Sequence, residues 1–271
     1  MLDAGAGALD YSPCRYGASK AVFRGPLRDL SWPYVAMLGG SPTFGKYVER
    51  PYPVLVETAL GRSVANLGGL NAGPDFYLSD PAALDIAAGA WAAVVQISGA
   101  EAVSNAFYSV HSRRNDRFLA ATPALRALFP QVDFTEIHFT RHLLQVLRRA
   151  DAGAFDQVEQ ALRQNWLAKM RLLLAGLPAG RVLLWLADSP PPDRADSLDR
   201  APLFIDRAML EALRPEVTAI VIATPSPRAR AMAAFDMTYP ETEATQAAFH
   251  PGAAVHAEVA ACLAPVLRRL M

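Results

Sequence analysis

The sequence predicts an α/β protein: a three-layer sandwich with helices on both faces of a five-stranded, mainly parallel sheet. Three observations predict it. Five short runs are apolar and rich in β-branched residues, as strands buried on both faces are. Segments with helical spacing separate them, which requires crossover connections and parallel pairing. The 271 residues are 52% hydrophobic, enough to bury the core of one large domain.

Residues 1–33 read as an N-terminal arm, irregular and Arg-rich in "PCRYGASKAVFRGPLRDLSWP", ahead of a single domain over 34–271. Tyr34–Leu38 is the first strand. Tyr52–Leu60 has helical spacing and stops at Gly61, a helix-ending residue. Ser63–Leu67 is the second strand. Asp80 and Pro81 supply an N-cap and a first-turn proline for a helix to about Ala88. Ala92–Ser98 is the third strand. Residues 101–135 fit no one element, and about 106–180 read as an insertion carrying amphipathic helices over Glu136–Ala150 and Ala154–Ala175. In the second of these, Trp166, Met170 and Leu173 share a core-facing stripe. Arg181–Ala187 is the fourth strand, followed by the proline-rich loop 188–202, a helix over Ile205–Leu213, the fifth strand Val217–Ala223 and a closing helix over 252–270.

Composition excludes several classes. The formal net charge is zero, whereas nucleic-acid binding leaves a basic excess, so no nucleic acid is expected. The alanine-rich stretch 82–98 holds Asp85 and breaks at Gly89, so it reads as helix, turn and strand, and no membrane span is expected. The N-terminus has an acidic residue where a signal peptide carries Lys or Arg. Cys14 and Cys262 read as reduced thiols of a cytoplasmic protein. No phosphate-binding or dinucleotide-binding glycine motif follows a strand, so no cofactor is expected. "HFTRH" places His138 and His142 four apart on a helix but lacks the Glu of a zinc motif, so no metal is expected.

In parallel sheets, ligands bind beyond the carboxyl ends of the strands. After the first strand comes "GGSPTFG". It supports two readings: a plain strand-to-helix loop with Ser41 as N-cap, or a turn presenting Ser41 as a nucleophile with the amides of the next helix aimed at the same space. After the second comes "NLGGLNAGP", a Gly-Asn turn or a backbone shaped to approach an oxyanion, with Gly68 in it and Asn71 as a candidate substrate contact. After the third comes "GAEAVSNAFYSVHSRRNDRF". Here Asn105 can offer a side-chain amide, and His111, Arg113, Arg114 and Arg117 either hold an anionic group or form a solvated loop paired with Asp116 and Asp133. Near the C-terminus, "FHPGAAVHAEVAACL" hangs His250 at the sheet's carboxyl edge, where an imidazole can take a serine's proton and return it to a leaving group.

The order "GGSPTFG", "NLGGLNAGPD", strand–Gly–loop–Asn, then "HPGAAVH" resembles the SGNH, or GDSL-like, hydrolases over about 34–105 and 217–270. The resemblance implies a flavodoxin-like sandwich in which Ser41 is the nucleophile, the Gly68 amide and Asn105 side chain complete the oxyanion hole, and His250 is the base. His256 follows the family's spacing. In that family an Asp stands three residues before the histidine; here the position is Ala247. Gln246, Glu243, Asp236 or a backbone carbonyl are the substitutes within reach. The chain also resembles an uncharacterised bacterial family, a domain of unknown function, through "CRYG", "FRGP", "GG", "NLG" and "RRNDRF".

These residues lead to a serine esterase or deacetylase acting on an acylated small molecule or glycan, with an anionic group selected by the arginines. Ala247 motivates the alternative of a glycan- or anion-binding protein with weakened chemistry, its contact surface over 101–142. Acyl or sulfuryl transfer would use the same nucleophile.

Overall fold

The computed structural model describes residues 7–233 and 235–270. In chain order the elements are β1 (Val35–Leu38), the single-turn α1 (Ser41–Phe44), α2 (Tyr52–Leu60), β2 (Val64–Asn66), α3 (Pro74–Leu78), α4 (Pro81–Ala88) and β3 (Ala92–Gln96). A hairpin of β4 (Tyr108–His111) and β5 (Arg114–Ala121) follows, then α5 (Pro123–Leu128), α6 (Thr140–Ala150), α7 (Ala152–Ala175) and β6 (Gly180–Leu186). The chain ends with α8 (Arg207–Leu213), β7 (Ala219–Ala223), α9 (Pro227–Met232), α10 (Ala244–Ala247) and α11 (Ala253–Leu270).

The central sheet has the order β2-β1-β3-β6-β7 and every pairing in it is parallel. All four residues of β1 are fully buried, which is why its sequence reads as a continuous apolar run. Val35 and Met37 face a core shared with α2 and α11; Ala36 and Leu38 face the larger core that holds α3, α4, α7 and α8. Helices therefore cover both faces. The chain steps outward from β1 to β2, then crosses back to β3, so the crevice between β1 and β3 is the topological switch point where such sheets bind ligands.

Caps act where the sequence places them: the Asp80 side chain accepts from the Ala83 amide, and Gly61 ends α2 in the left-handed region. Trp166, Met170 and Leu173 are buried on α7, and both cysteines are free thiols. Three expectations need correction. Helix α7 is the crossover that returns the chain to β6, so it belongs to the sandwich; what is added is the hairpin, α5 and α6. His138 lies ahead of α6, which begins at Thr140, so it does not share a helical face with His142. The arm is part of the core: Phe23 is fully buried, and the buried Arg24 guanidinium donates to the carbonyls of Gly45 and Glu49 behind α1. Among the described residues, no helix is long and apolar enough to cross a membrane.

His256, on α11, is buried and stacks on Tyr52, and its Nδ1 accepts from the Tyr52 amide at the start of α2 at 3.0 Å. This is a packing and capping role. Burial holds the imidazole neutral, with its pKa pushed down to about 3. An unfolded-chain histidine titrates near ~6.5. Between these values only the unfolded state takes the proton, so stability is complete above about pH 6.5 and is lost as pH falls toward the folded value. Thermal melts are expected to show the fall approaching about 1.4 kcal/mol per pH unit from this group. His256→Gln, which keeps an acceptor for Tyr52 and cannot titrate, is expected to flatten that slope.

Candidate functional site

Ser41 stands at the carboxyl end of β1, beside the switch point. The turn that presents it is specified by contacts. A Cβ on Gly39 would lie 2.0 Å from Thr43 Oγ1 and 2.6 Å from Gln96 Cβ, so no side chain fits there. Gln96, at the end of β3, accepts from the Gly40 amide at 3.2 Å and from the Thr43 hydroxyl at 2.7 Å. Gly40, not Ser41, is the N-cap of α1, and Ser41 is its first helical residue. The N-cap reading of Ser41 therefore does not hold. Nor does a long helix aim its amides at Ser41: α1 is one turn, stopped by Gly45 in the left-handed region.

Ser41 is 6% exposed, and its hydroxyl is engaged as both donor and acceptor. It donates to Asn71 Oδ1 at 2.9 Å and accepts from the Asn71 amide at 3.0 Å. Asn71 has φ of 55°, a left-handed conformation that Asn adopts more readily than other side chains. Its carbonyl accepts from the Asn115 amide at 3.0 Å, at the tip of the β4–β5 hairpin. The Asn115 side chain in turn accepts from the amides of Gly73 and Phe76. The inserted hairpin is thus fastened onto the loop that holds the serine.

The other oxyanion groups inferred from the sequence are used elsewhere. The Gly68 amide donates to Asn66 Oδ1 at 2.9 Å, whose own amide reaches the Thr43 carbonyl. The Asn105 side chain donates to the Val103 carbonyl and accepts from the amides of Phe107 and Tyr108, which makes it a loop-stabilising residue. In both cases a neighbouring polar group of the loop holds the residue. The Ser41 amide itself makes no hydrogen bond among the described residues.

His250 lies at the same end of the molecule but makes no hydrogen bond with Ser41. Its ring packs edge-on against Tyr47, with centroids 5.0 Å apart. Tyr47 has φ of 70°, an outlier for an aromatic residue. It is held there by its hydroxyl on Glu243 and its backbone bonds to Tyr11 and Thr238. Lys46 reaches Glu243 and Gln246 on the segment that leads to His250. His250 Nδ1 lies 2.8 Å from the Gln246 carbonyl. A carbonyl only accepts, so Nδ1 carries the proton of the neutral ring and Nε2 is left with its lone pair. Burial, reinforced by the Lys46 charge, holds the His250 pKa below the usual histidine range.

The arginine loop is divided. His111, Arg113 and Arg114 are exposed at the hairpin, while Arg117 lies over the Phe139 ring at 4.4 Å. A groove between β7 and α8, lined by Pro190, Pro191, Leu210, Ile220 and Ile222, contains none of the candidate residues.

A family model matches residues 1–271, the whole chain. The chain belongs to DUF6473, a domain of unknown function. No curated protein matches it. What DUF6473 membership assigns here is a shared sequence, and the chemistry must be argued from the residues. Asn66, Gln96 and Asn115, which shape the site of this DUF6473 chain, carry no motif. Their only signal in the sequence is a polar side chain at or just beyond the end of an apolar strand (Asn66, Gln96) or in a Gly-free hairpin tip (Asn115).

Proposed function

We propose that the chain is a serine ester hydrolase or deacetylase of the SGNH kind, acting on an acylated small molecule or glycan. The observation that carries the reading is the His250–Gln246 contact. A backbone carbonyl takes the orienting place that Ala247 leaves vacant, and it fixes the one tautomer in which Nε2 can accept a proton. Ser41 Oγ attacks the ester carbonyl carbon while its proton passes to His250 Nε2. The C–O bond to the leaving alcohol then breaks as His250 protonates that oxygen, and water releases the acyl group by the reverse sequence. The Ser41 amide is the donor available to the oxyanion, and the Asn71 side chain can join it only by turning its NH2 in place of the carbonyl that now faces Ser41. For the serine and imidazole to share a proton, Ser41 must leave its bonds to Asn71 when substrate enters.

The low pKa of His250 has a consequence that tests the reading. The base is needed neutral, so esterase activity on p-nitrophenyl acetate is expected to persist below about pH 6.5, where an ordinary histidine would be half protonated. An acid limb centred at or above that value counts against His250 as the base.

A second reading, binding without hydrolysis, is favoured by one observation: the Ser41 hydroxyl, the Gly68 amide and the Asn105 amide are all engaged within the protein. In that case the exposed His111, Arg113 and Arg114 take an anionic saccharide. Calorimetry with a sulfated oligosaccharide, run beside the esterase assay, separates the two. Acyl transfer shares the first half-reaction and is distinguished by adding an acceptor alcohol.

A further inference from the structure

The residue just past α1 touches both halves of the site. The Lys46 amide donates to the Ser41 carbonyl at 3.2 Å, beside the Gly45 amide at 2.9 Å, so Lys46 helps to close the turn that presents the serine. Its ammonium reaches the segment that carries His250. There Nζ lies 3.1 Å from Glu243 Oε2 and donates to Gln246 Oε1 at 3.3 Å. Gln246 is the residue whose main-chain carbonyl meets His250 Nδ1. The ammonium also lies 4.4 Å from the centroid of the Tyr47 ring, the ring against which His250 packs. The Lys46 side chain is 17% exposed, so water screens these contacts less than those of an ordinary surface lysine.

We propose that Lys46 is a positioning residue of the Ser41–His250 pair: its main chain holds the serine turn, its ammonium holds the histidine segment, and together they set where the imidazole stands relative to the hydroxyl. The inference rests on the hydrolase reading, in which those two groups exchange a proton. Ser41 and His250 share no hydrogen bond, so their approach depends on what fastens their segments. An ammonium has three donors and can hold two oxygens at once; here Gln246 and Glu243 take one each, and the Tyr47 hydroxyl donates to the same Glu243 carboxylate.

The charges around the imidazole separate placement from electrostatics. Burial lowers the His250 pKa most, the Gln246 carbonyl raises it, the Lys46 charge lowers it and the Glu243 carboxylate raises it. Tyr47, the titratable ring packed against it, is kept neutral by burial and by Glu243, which push its pKa up. Lys46→Met therefore shifts the His250 pKa up and Glu243→Gln shifts it down. Both weaken the tie, so a positioning role slows the reaction in both. Above its pKa the imidazole is neutral in every variant, and the rate there reports placement rather than charge.

The test compares wild type, Lys46→Met, Lys46→Arg and Glu243→Gln. The pKa and tautomer of His250 are read from the NMR shifts of its ring nitrogens. The rate at which a fluorophosphonate labels Ser41 is read at a pH above every measured pKa, and a melt confirms that each variant is folded. Lys46→Met is expected to label roughly ten- to a hundredfold more slowly, the cost of a misplaced base, and to lose its single Nδ1–H tautomer. Glu243→Gln is expected to label about two- to tenfold more slowly, the factor of one weakened hydrogen bond. Lys46→Arg keeps the charge and the donors and is expected to stay within about threefold of wild type. Unchanged labelling in Lys46→Met overturns the proposal whether or not the pKa moves, and equal losses in Lys46→Arg and Lys46→Met overturn the part given to the ammonium. If wild type takes no label at Ser41, the hydrolase reading falls and the tautomer decides the tie: a Lys46→Met protein that loses the Nδ1–H tautomer leaves Lys46 placing the ring, and one that keeps it overturns that too.

Discussion

Ser41→Ala is expected to lower hydrolysis of p-nitrophenyl acetate by at least about a thousandfold, with the melting temperature little changed. The size follows from the role. A nucleophile has no substitute in its own step, and a thousandfold corresponds to about 4 kcal/mol of barrier. The stability side follows from the contacts. Ser41 makes two hydrogen bonds, both to Asn71, and alanine forfeits them without adding volume. The expected cost is that of ordinary hydrogen bonds lost, about 1 kcal/mol. Steady-state kinetics and a melt on the same sample check both halves. A variant that keeps the wild-type rate removes Ser41 from the chemistry; one that melts far lower makes its lost rate uninformative.

Gly68→Ala is expected to be the most damaging small substitution in the site region. A Cβ there would lie 2.3 Å from the Phe44 nitrogen, 2.7 Å from the Thr43 carbonyl carbon and 2.8 Å from Phe44 Cα. All three are backbone atoms of α1, so no side chain can swing aside. Either α1 moves away from the loop after β2, carrying Ser41 with it, or the loop moves and breaks the Gly68–Asn66 bond. The expected loss is about 3 kcal/mol, at the upper end for overpacking. That corresponds to roughly 6–12 °C in melting temperature for a chain of this size. Gly176→Ala is the control: its nearest neighbour would be 3.6 Å away, its φ is −83°, and a change within about 0.5 kcal/mol is expected. Gly68 thus matters through how closely two backbones meet, while its amide is held by Asn66.

The contrast between these two residues shows what the sequence can reveal. Strands were legible because a run such as "VAML" is buried on both faces, and nothing else explains four apolar residues ending in two glycines. Ser41 was legible because Gly39 and Gly40 announce a sharp turn at the sheet edge. The contacts of Gly68 and Asn105 were not, because Asn66 takes the Gly68 amide and backbone groups of its own loop take the Asn105 side chain, and such local bonds depend on turn geometry that composition does not fix. Asn71 was picked out as a substrate contact, yet its place on the serine depends on the left-handed turn at that residue. The Asn115 amide's bond to the Asn71 carbonyl joins residues far apart in the chain, brought together only when the hairpin folds back over the strand ends. His250 and its carbonyl partner Gln246 are four residues apart, so this contact is local in the chain, and a backbone carbonyl was among the substitutes for the missing acid that the family resemblance implied.

The most direct test of the central claim is to react the protein with a fluorophosphonate and locate the adduct by peptide mapping, in wild type and in His250→Ala. The account predicts one adduct, on Ser41, formed at least about a hundredfold more slowly when His250 is gone. An adduct on another residue, or equal labelling of Ser41 without the imidazole, would contradict it.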